Sequence, residues 1–214
     1  MYQPPHFREE RLEVQHALIR KFPLGLLITA GPGGLMANPI PFVLAPSASA
    51  KGTLQAHLAR ANPQLRELGP ASECLVVFQG PQEYVTPSWY PTKQETGKVV
   101  PTWNYATVHA WGRPRLIEDA AWLAHHLNAL TRSQEQERPV PWEVADAPDS
   151  YITSQMKGIV GIELEIDRLA GKWKVSQNRP EPDRRGVVAG FRQRGEESHP
   201  MAALVAEYGG VGED

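Results

Sequence analysis

Hydrophobic and polar positions follow two different periods along this chain. Near the start, five apolar residues share one broad helical face with charged residues opposite, namely Leu12, Val14, Leu18, Ile19 and Phe22. Apolar positions that recur every three or four residues are typical of an amphipathic helix. The pattern therefore predicts an opening helix over residues 7–22.

From residue 24 onward the chain changes to short apolar or alternating runs bounded by Gly, Pro, Asn and Ser. Six such runs occur, at 24–30, 35–45, 52–59, 74–80, 106–117 and 158–169. Runs of this length with turn residues between them are typical of antiparallel strands in a barrel or sandwich. The sequence "GPGG" at 31–34 predicts a hairpin turn between the first two runs.

Helical segments interrupt and follow these strands. A short helix is indicated at 62–69, after the third run, and a long one at 118–135, with Asp119 near its start. The long helix carries an apolar stripe of Trp122, Leu123, His126, Leu127 and Leu130. In the tail, "PDRRGVVAGFRQR" favours a short helix with Val187, Val188 and Phe191 inward. The predicted fold class is mainly β with helices.

Composition and charge exclude several classes of protein. The 214 residues are 41% hydrophobic and 21% charged, which is typical of a globular chain of one large domain or a domain with a helical annex. The net charge of −2 gives no overall attraction to nucleic acid or anionic membrane. Residues 168–194 differ, because they carry eight Lys or Arg against two acids.

Neither a signal peptide nor an uninterrupted apolar span is visible, so we expect a cytoplasmic protein without a membrane segment. The single cysteine, Cys74, lies in the apolar run "CLVVF" and is predicted to be buried and inert. There is no G-x-S-x-G and no histidine spacing of the H-E-x-x-H type. We therefore predict no catalytic residue and no metal site.

Two features remain that favour an anionic, flat ligand. The sequence "HLARANP" places His57, Arg60 and Asn62 at the end of a predicted strand and the start of a short helix, where a phosphate is favoured. Alternatively, Arg60 pairs with Glu67 or points to water, and Asn62 only caps the helix. The aromatic segments "YVTPSWYPTK" and "TWNYATVHAW" either line a cofactor site or form core corners.

Long segments of the chain resemble one known family. "MYQPPHF", "HLARANP", "YVTPSWYPTK", "VPTWNYATVHAWG", "MKGIVGIELEI" and "KWKVSQNRPEPDRRGVVAGF" stand in the order found in the PaiB-type family of FMN-binding negative transcriptional regulators. The resemblance extends from residue 1 to about residue 208. It implies an antiparallel split β-barrel of the FMN-binding type, a homodimer with two flavin sites, and a repressor role.

The resemblance also implies where FMN lies. The phosphate is expected at His57, Arg60 and Asn62, and Lys93 is a second candidate for it. The isoalloxazine ring is expected against the backbone of Asn38 and Ile40 and against aromatics that reach across the dimer, such as Trp89 or Trp103. A flat ring of this size gains from burial between apolar faces, and contacts at its edge supply specificity.

Three functions stay open at this point: a flavin-dependent regulator, a flavin-dependent oxidoreductase of the same fold, and a dimeric scaffold without ligand. Another flat anionic ligand, such as haem, also stays open. No helix-turn-helix is readable, so promoter DNA is expected to meet only the basic tail, at Lys172, Lys174, Arg184, Arg185, Arg192 and Arg194. The domain prediction is a split-barrel domain over 1–167, with the opening helix, and a basic extension over 168–214 packed on it.

Overall fold

A computed structural model describes residues 1–69, 72–194 and 199–212. The strands within these residues are β1 (Arg8–Glu9), β2 (Leu24–Gly31), β3 (Gly34–Pro41), β4 (Val43–Ala45), β5 (Thr53–Ala59), β6 (Cys74–Val85), β7 (Thr102–Gly112), β8 (Pro114–Ile117), β9 (Ile159–Glu165) and β10 (Arg168–Lys174). The helices are α1 (Leu12–Lys21), α2 (Thr92–Thr96), α3 (Ala120–Glu135), α4 (Asp149–Lys157), α5 (Glu181–Arg192) and α6 (Pro200–Gly209).

The chain divides into two compact units. Unit 1 comprises Met1–Arg11, Gln79–Val108 and Ala170–Asp214, and unit 2 comprises Leu12–Phe78 and His109–Leu169. The predicted division at residue 167 stays a prediction.

The first hairpin of unit 2 is formed by β2 and β3. The two strands pair in register from Leu24 opposite Pro41 to Gly31 opposite Gly34. Gly34 has a φ of 98°, which side chains with a Cβ rarely adopt, so glycine suits the close of this turn. The hairpin predicted from "GPGG" is confirmed. On its other side, β2 pairs with the start of β6, where Leu26 lies opposite Val77.

A second sheet of unit 2 has the strand order β4-β5-β9-β8. Its central pair brings Leu54 opposite Leu164 and Ala56 opposite Ile162. All four side chains are fully buried. This alternation of inward apolar residues forms the core of the unit.

The long helix α3 covers this sheet. Asp119 caps it by accepting a hydrogen bond of 2.7 Å from the backbone nitrogen of Trp122. The indole of Trp122 lies over Gly161, where a Cβ would come within 2.3 Å of the ring. The predicted helix at 118–135 is confirmed as α3. The opening helix is shorter than predicted, since α1 follows a turn at Pro5–Phe7 and the short strand β1.

Unit 1 has the strand order β1-β10-β7-β6, with α5 and α6 packed together. The core includes Val187 and Phe191 of α5 and Met201 and Val205 of α6, all without exposed surface. The predicted inward face of the tail helix, with Val187, Val188 and Phe191, is confirmed.

Three predicted strands are wrong as single elements. The run 106–117 forms the end of β7 and all of β8. The run 35–45 forms β3 and β4, because residues up to Pro41 pair with β2 whereas Val43–Ala45 pairs with β5. The run 158–169 contains all of β9 and the first two residues of β10, and β10 continues to Lys174. Cys74 is buried as predicted, and burial raises the pKa of its thiol to about 11. Across the described part of the chain, none of the helices combines the length and apolarity needed to cross a bilayer.

Candidate functional site

Arg60 lies in unit 2 directly after β5, where the sequence predicts a phosphate contact. Its guanidinium is about half exposed and forms an ion pair with Glu118, not with Glu67. It also donates from Nε to the backbone oxygen of Lys157 at 3.2 Å and from Nη2 to that of Ile159 at 3.3 Å. Exposed ion pairs contribute little free energy. A phosphate, which binds guanidinium more strongly, can therefore replace Glu118.

His57 lies within β5 and contacts α3. Its Nδ1 lies 3.1 Å from Nε2 of His126, a fully buried ring that the sequence indicates only as part of an apolar stripe. Burial lowers the pKa of His57, and burial with the charges of His57 and His125 lowers the pKa of His126 to about 4. Both rings are therefore neutral at pH 7. His57 therefore brings a hydrogen-bonding ring but no positive charge to this surface at neutral pH.

Gln64 brings two of the predicted residues together. Asn62 caps the 3-10 turn Pro63–Glu67, because its side chain accepts a hydrogen bond of 2.9 Å from the backbone nitrogen of Gln64. The side-chain nitrogen of Asn38, on β3, donates a hydrogen bond of 2.9 Å to the side-chain oxygen of Gln64. Gln64 itself is fully buried and donates to the backbone oxygen of Leu27 at 3.0 Å. Sequence reasoning missed Gln64, whose only signal is its place in the short helical segment after Asn62.

Ile40, beside this network on β3, is only 6% exposed. Its side chain belongs to the core of unit 2, so any contact with a ligand there falls to its backbone.

Trp89 lies in unit 1 and packs against α5. A Cβ at Gly190 would come within 2.3 Å of the indole, and Phe191 meets it edge-on with 4.9 Å between ring centroids. The guanidinium of Arg194 lies 4.6 Å from the indole centroid. Trp89 therefore has the packing of a core corner, which is one of the two interpretations of the sequence.

Trp103 of β7 contrasts with Trp89, because 54% of it is exposed. Its ring meets that of Tyr84 edge to face, with 6.1 Å between the ring centroids, and Tyr84 is itself 38% exposed. Lys93 of α2 is also exposed, and among the described residues it has no ion pair. Unit 1 thus presents a flat aromatic surface and a free cation, both from the predicted site.

Two lysines of β10 are partly or fully withdrawn from solvent: Lys172 is buried and Lys174 is half-buried. Lys172 is 7% exposed, with its Nζ 5.6 Å from the ring centre of Tyr2 and 5.3 Å from that of Tyr105. Lys174 donates to the hydroxyl of Thr102 and to a backbone oxygen of β7. Burial, with the nearby charges of Lys172 and Arg179, lowers the pKa of Lys174.

The predicted DNA contacts on α5 are partly engaged within the chain. Arg184 donates a hydrogen bond of 2.6 Å to the backbone oxygen of Arg179, and Arg185 donates one of 3.0 Å to the carboxylate of Glu181. Arg192 and Arg194 are exposed at the end of the helix. All of these residues, with Lys172 and Lys174, belong to unit 1.

The residues present suit a flavin mononucleotide. Its ring needs a flat apolar surface, which the exposed face of Trp103 offers. Its phosphate needs charged donors, and each unit offers one candidate of its own: Arg60 in unit 2 and Lys93 in unit 1. When bound, FMN supplies redox and light-absorbing chemistry that no side chain of the protein provides.

Comparison with known proteins agrees with this fit. Residues 1–168 match the family described as "Putative FMN-binding domain". An uncharacterized protein of Aspergillus fumigatus is 38% identical over 98% of this chain and 98% of its own length. "Protease synthase and sporulation protein PAI 2" of Bacillus subtilis is 31% identical over 97% of this chain and 95% of its own.

Among solved structures, the flavocytochrome Anf3 of Azotobacter vinelandii is similar, with a TM-score of 0.57 at 16% identity. The match covers 78% of this chain and 69% of that chain. The predicted fold class, a mainly antiparallel split barrel with added helices, is confirmed.

Proposed function

Because this chain belongs to the FMN-binding domain family, with its PaiB-type resemblance confirmed and FMN as its cofactor, we propose that it is a cytoplasmic, homodimeric, flavin-dependent transcriptional regulator. In this proposal FMN is a ligand or redox sensor whose binding state changes contact with promoter DNA. The name of the Bacillus subtilis relative, which refers to protease synthesis and sporulation, favours regulation over metabolism.

The observation that carries the proposal is the exposed indole of Trp103. A tryptophan that is 54% exposed leaves a large apolar face in water, which costs free energy unless a partner covers it. The isoalloxazine ring matches this face in shape and polarity. Trp89 is proposed as a supporting residue behind the site, since α5 already covers its ring. The backbones of Asn38 and Ile40, in unit 2, are proposed separately as contacts for a flavin ring edge.

For the FMN phosphate we propose Arg60, with neutral His57 and the amide of Asn62 as hydrogen-bond partners; Lys93, in unit 1, is a separate second candidate. Arg60 must then release Glu118. That exchange is favourable because a phosphate carries more charge than one carboxylate and accepts from two guanidinium nitrogens at once.

The outward face of the β2–β3 hairpin supports a homodimer. Its cross-strand pairs are Leu24 with Pro41, Leu26 with Pro39, Ile28 with Ala37, and Ala30 with Leu35. Every one of these side chains is apolar, and apart from half-buried Ile28 all are exposed. A second copy is the proposed occupant, because an uncharged apolar patch is self-complementary across a two-fold axis.

The proposal is tested by titrating the purified protein with FMN while recording its visible spectrum. We expect about one flavin per protomer in a dimer, and we expect Trp103→Ala to weaken FMN and riboflavin alike, by roughly 1–3 kcal/mol as for stacked bases on aromatic side chains. Trp142→Ala is the matched control, since Trp142 is a comparably exposed tryptophan (47%) of unit 2. Equal affinities for wild type and Trp103→Ala would remove Trp103 from the site.

The regulatory part is tested by gel shift with DNA from upstream of the protein's own gene, with and without FMN. We expect specific retardation that changes when FMN is added. If the protein binds FMN but does not specifically retard this DNA, the regulator proposal fails and a flavin-dependent oxidoreductase is favoured instead.

A further inference from the structure

Three cations of unit 1 lie close together in a setting that suits an anion. Lys172 and Lys174 are two residues apart on β10, so both side chains leave the same face of the strand. Arg179 follows the strand, and its guanidinium lies 4.6 Å from the ring centre of Tyr90. The turn that follows β10 is closed by the backbone nitrogen of Arg179 on the oxygen of Ser176, which brings Arg179 back toward the end of the strand. Burial lowers the pKa of Lys174, and the charges of Lys172 and Arg179 lower it further.

No carboxylate pairs with any of these three cations within residues 1–69, 72–194 and 199–212. Asp183 is buried in the same unit, but both of its oxygens accept hydrogen bonds from Thr92. Enclosing like charges without a counter-charge is unfavourable. The tyrosine rings around Lys172 offset part of that cost through cation–π contacts, which are weaker than a charge pair.

The turn between Lys174 and Arg179 has an unusual backbone. Ser176 has a φ of 66°, the one positive value outside glycine among the described residues. Its hydroxyl exchanges hydrogen bonds with Asn104, which is fully buried, at 3.0 and 3.2 Å. The backbone nitrogen of Arg179 donates 2.9 Å to the oxygen of Ser176. A strained residue held by buried hydrogen bonds is typical of a site that is organised before its ligand arrives.

We propose that Lys172, Lys174 and Arg179 form an oxyanion site for a phosphate group, with the hydroxyl of Thr102 as an additional donor. Lysine and arginine donors at fixed positions bind such groups through short, charge-assisted hydrogen bonds. The phosphate comes either from a free anion or from FMN itself. In the second case the site rests on the proposed function and takes the place of Arg60.

The test is calorimetric titration of the purified full-length protein with inorganic phosphate, first without flavin and then with saturating FMN. Lys174→Gln and Arg179→Gln are each expected to weaken phosphate binding about tenfold or more, the range for one charge-assisted hydrogen bond. Lys98→Gln, an exposed lysine of the same unit, is the control and is expected to bind phosphate as wild type does. Circular dichroism identifies a variant that does not fold. In that case phosphate binding by the other of the two variants tests the site.

Two results support the site and identify the source of the anion. Phosphate binding that persists in FMN-saturated protein and is lost in Lys174→Gln assigns a free anion. Phosphate binding that FMN abolishes, with Lys174→Gln weakening FMN but not riboflavin, assigns the phosphate of FMN. Two results would overturn the proposal, provided that the ratio of FMN to riboflavin affinity is the same in both variants as in wild type. Either both variants bind phosphate as wild type does, or the wild-type protein binds no phosphate. Failure of FMN binding alone would overturn the proposed function and leave this site standing.

Discussion

The two units of this protein differ in how their basic side chains are partnered. In unit 2, Arg60 has a carboxylate partner in Glu118, and the buried ring of His126 is kept neutral. In unit 1, Lys172 and Lys174 stay beside aromatic rings, hydroxyl and carbonyl groups, with no carboxylate in the described residues to pair with them.

This difference shows what a basic residue in a sequence does and does not indicate. Arg60 lies in a motif that predicts phosphate binding, yet its donors already have acceptors within the chain. Lys172 and Lys174 lie in a basic tail that predicts solvated DNA contacts, yet Lys172 is buried, Lys174 is half-buried, and neither pairs with a carboxylate of the described residues. An unmet charge is the stronger indication of a ligand, because enclosure has already removed most of the water that would otherwise solvate it.

The largest expected effect concerns the neutral imidazoles of unit 2. The pKa of His126 falls from 6.5 to about 4 on folding, so the unfolded chain binds the proton more readily. The stability that this provides is present above pH 6.5 and is lost as the pH falls toward 4, by up to about 3 kcal/mol. Urea unfolding at both pH values measures it.

In His126→Leu the loss of stability on acidification should be smaller by most of that amount. His125→Leu removes the exposed neighbour on α3 and the smallest cause of the low pKa of His126, so it should keep most of the acid sensitivity of wild type. The same loss of stability in wild type and in His126→Leu would show that this ring does not titrate between the two states.

Arg60→Ala tests whether the ion pair with Glu118 gives way to a ligand. If the guanidinium binds the FMN phosphate, its removal weakens FMN by roughly 1.5–3 kcal/mol, or ten- to 150-fold. Riboflavin, which lacks the phosphate, should bind equally to both proteins. Glu118→Gln is the matched change and should leave FMN affinity the same or higher. Equal losses for FMN and riboflavin would mean that Arg60 only supports the fold.

The arginines of α5 sharpen the comparison for DNA. Each lost phosphate contact lowers the salt slope of log affinity by about 0.9, so Arg184→Ala with Arg185→Ala flattens it by up to roughly 3.6 in a dimer. A gel-shift titration across salt measures the slope. The control is Arg113→Ala with Arg138→Ala, two ion-paired arginines of unit 2. An unchanged slope in the α5 variant would remove these arginines from the DNA surface.

The smallest effect expected is on stability at Arg60. Its pair with Glu118 is exposed on both sides, so Arg60→Ala should lower the free energy of unfolding by less than about 1 kcal/mol. Thermal or urea unfolding at neutral pH decides this. A loss of several kcal/mol would place Arg60 among the residues that hold the fold together.

Local pattern was enough to predict much of the fold. The Asp119 cap of α3, the inward Val187 and Phe191 of α5, and the "GPGG" hairpin follow from spacing within one element. The prediction missed the continuation of β10 because Lys172 and Lys174 have the composition of a solvated tail. Their alternation with buried Gly171 and Trp173 is the strand signal, and the charges obscured it.

The candidate site was harder to predict, because its decisive partners are distant in sequence. His57 meets His126 sixty-nine residues later, and Arg60 meets Glu118 fifty-eight residues later. No spacing rule connects such pairs. The contrast between exposed Trp103 and covered Trp89 likewise depends on packing that neither aromatic segment encodes by itself.

The prolines of β3 decide how another chain can approach the hairpin. Among the described strands β3 is the last in its sheet, and the backbone nitrogen of Phe42 points inward, to the oxygen of Pro23. Backbone direction alternates along a strand, so the nitrogens of Pro39 and Pro41 point outward, where they carry no hydrogen to donate. This edge therefore resists the addition of a further strand and the fibril growth that such addition begins, although the apolar face beside it stays open.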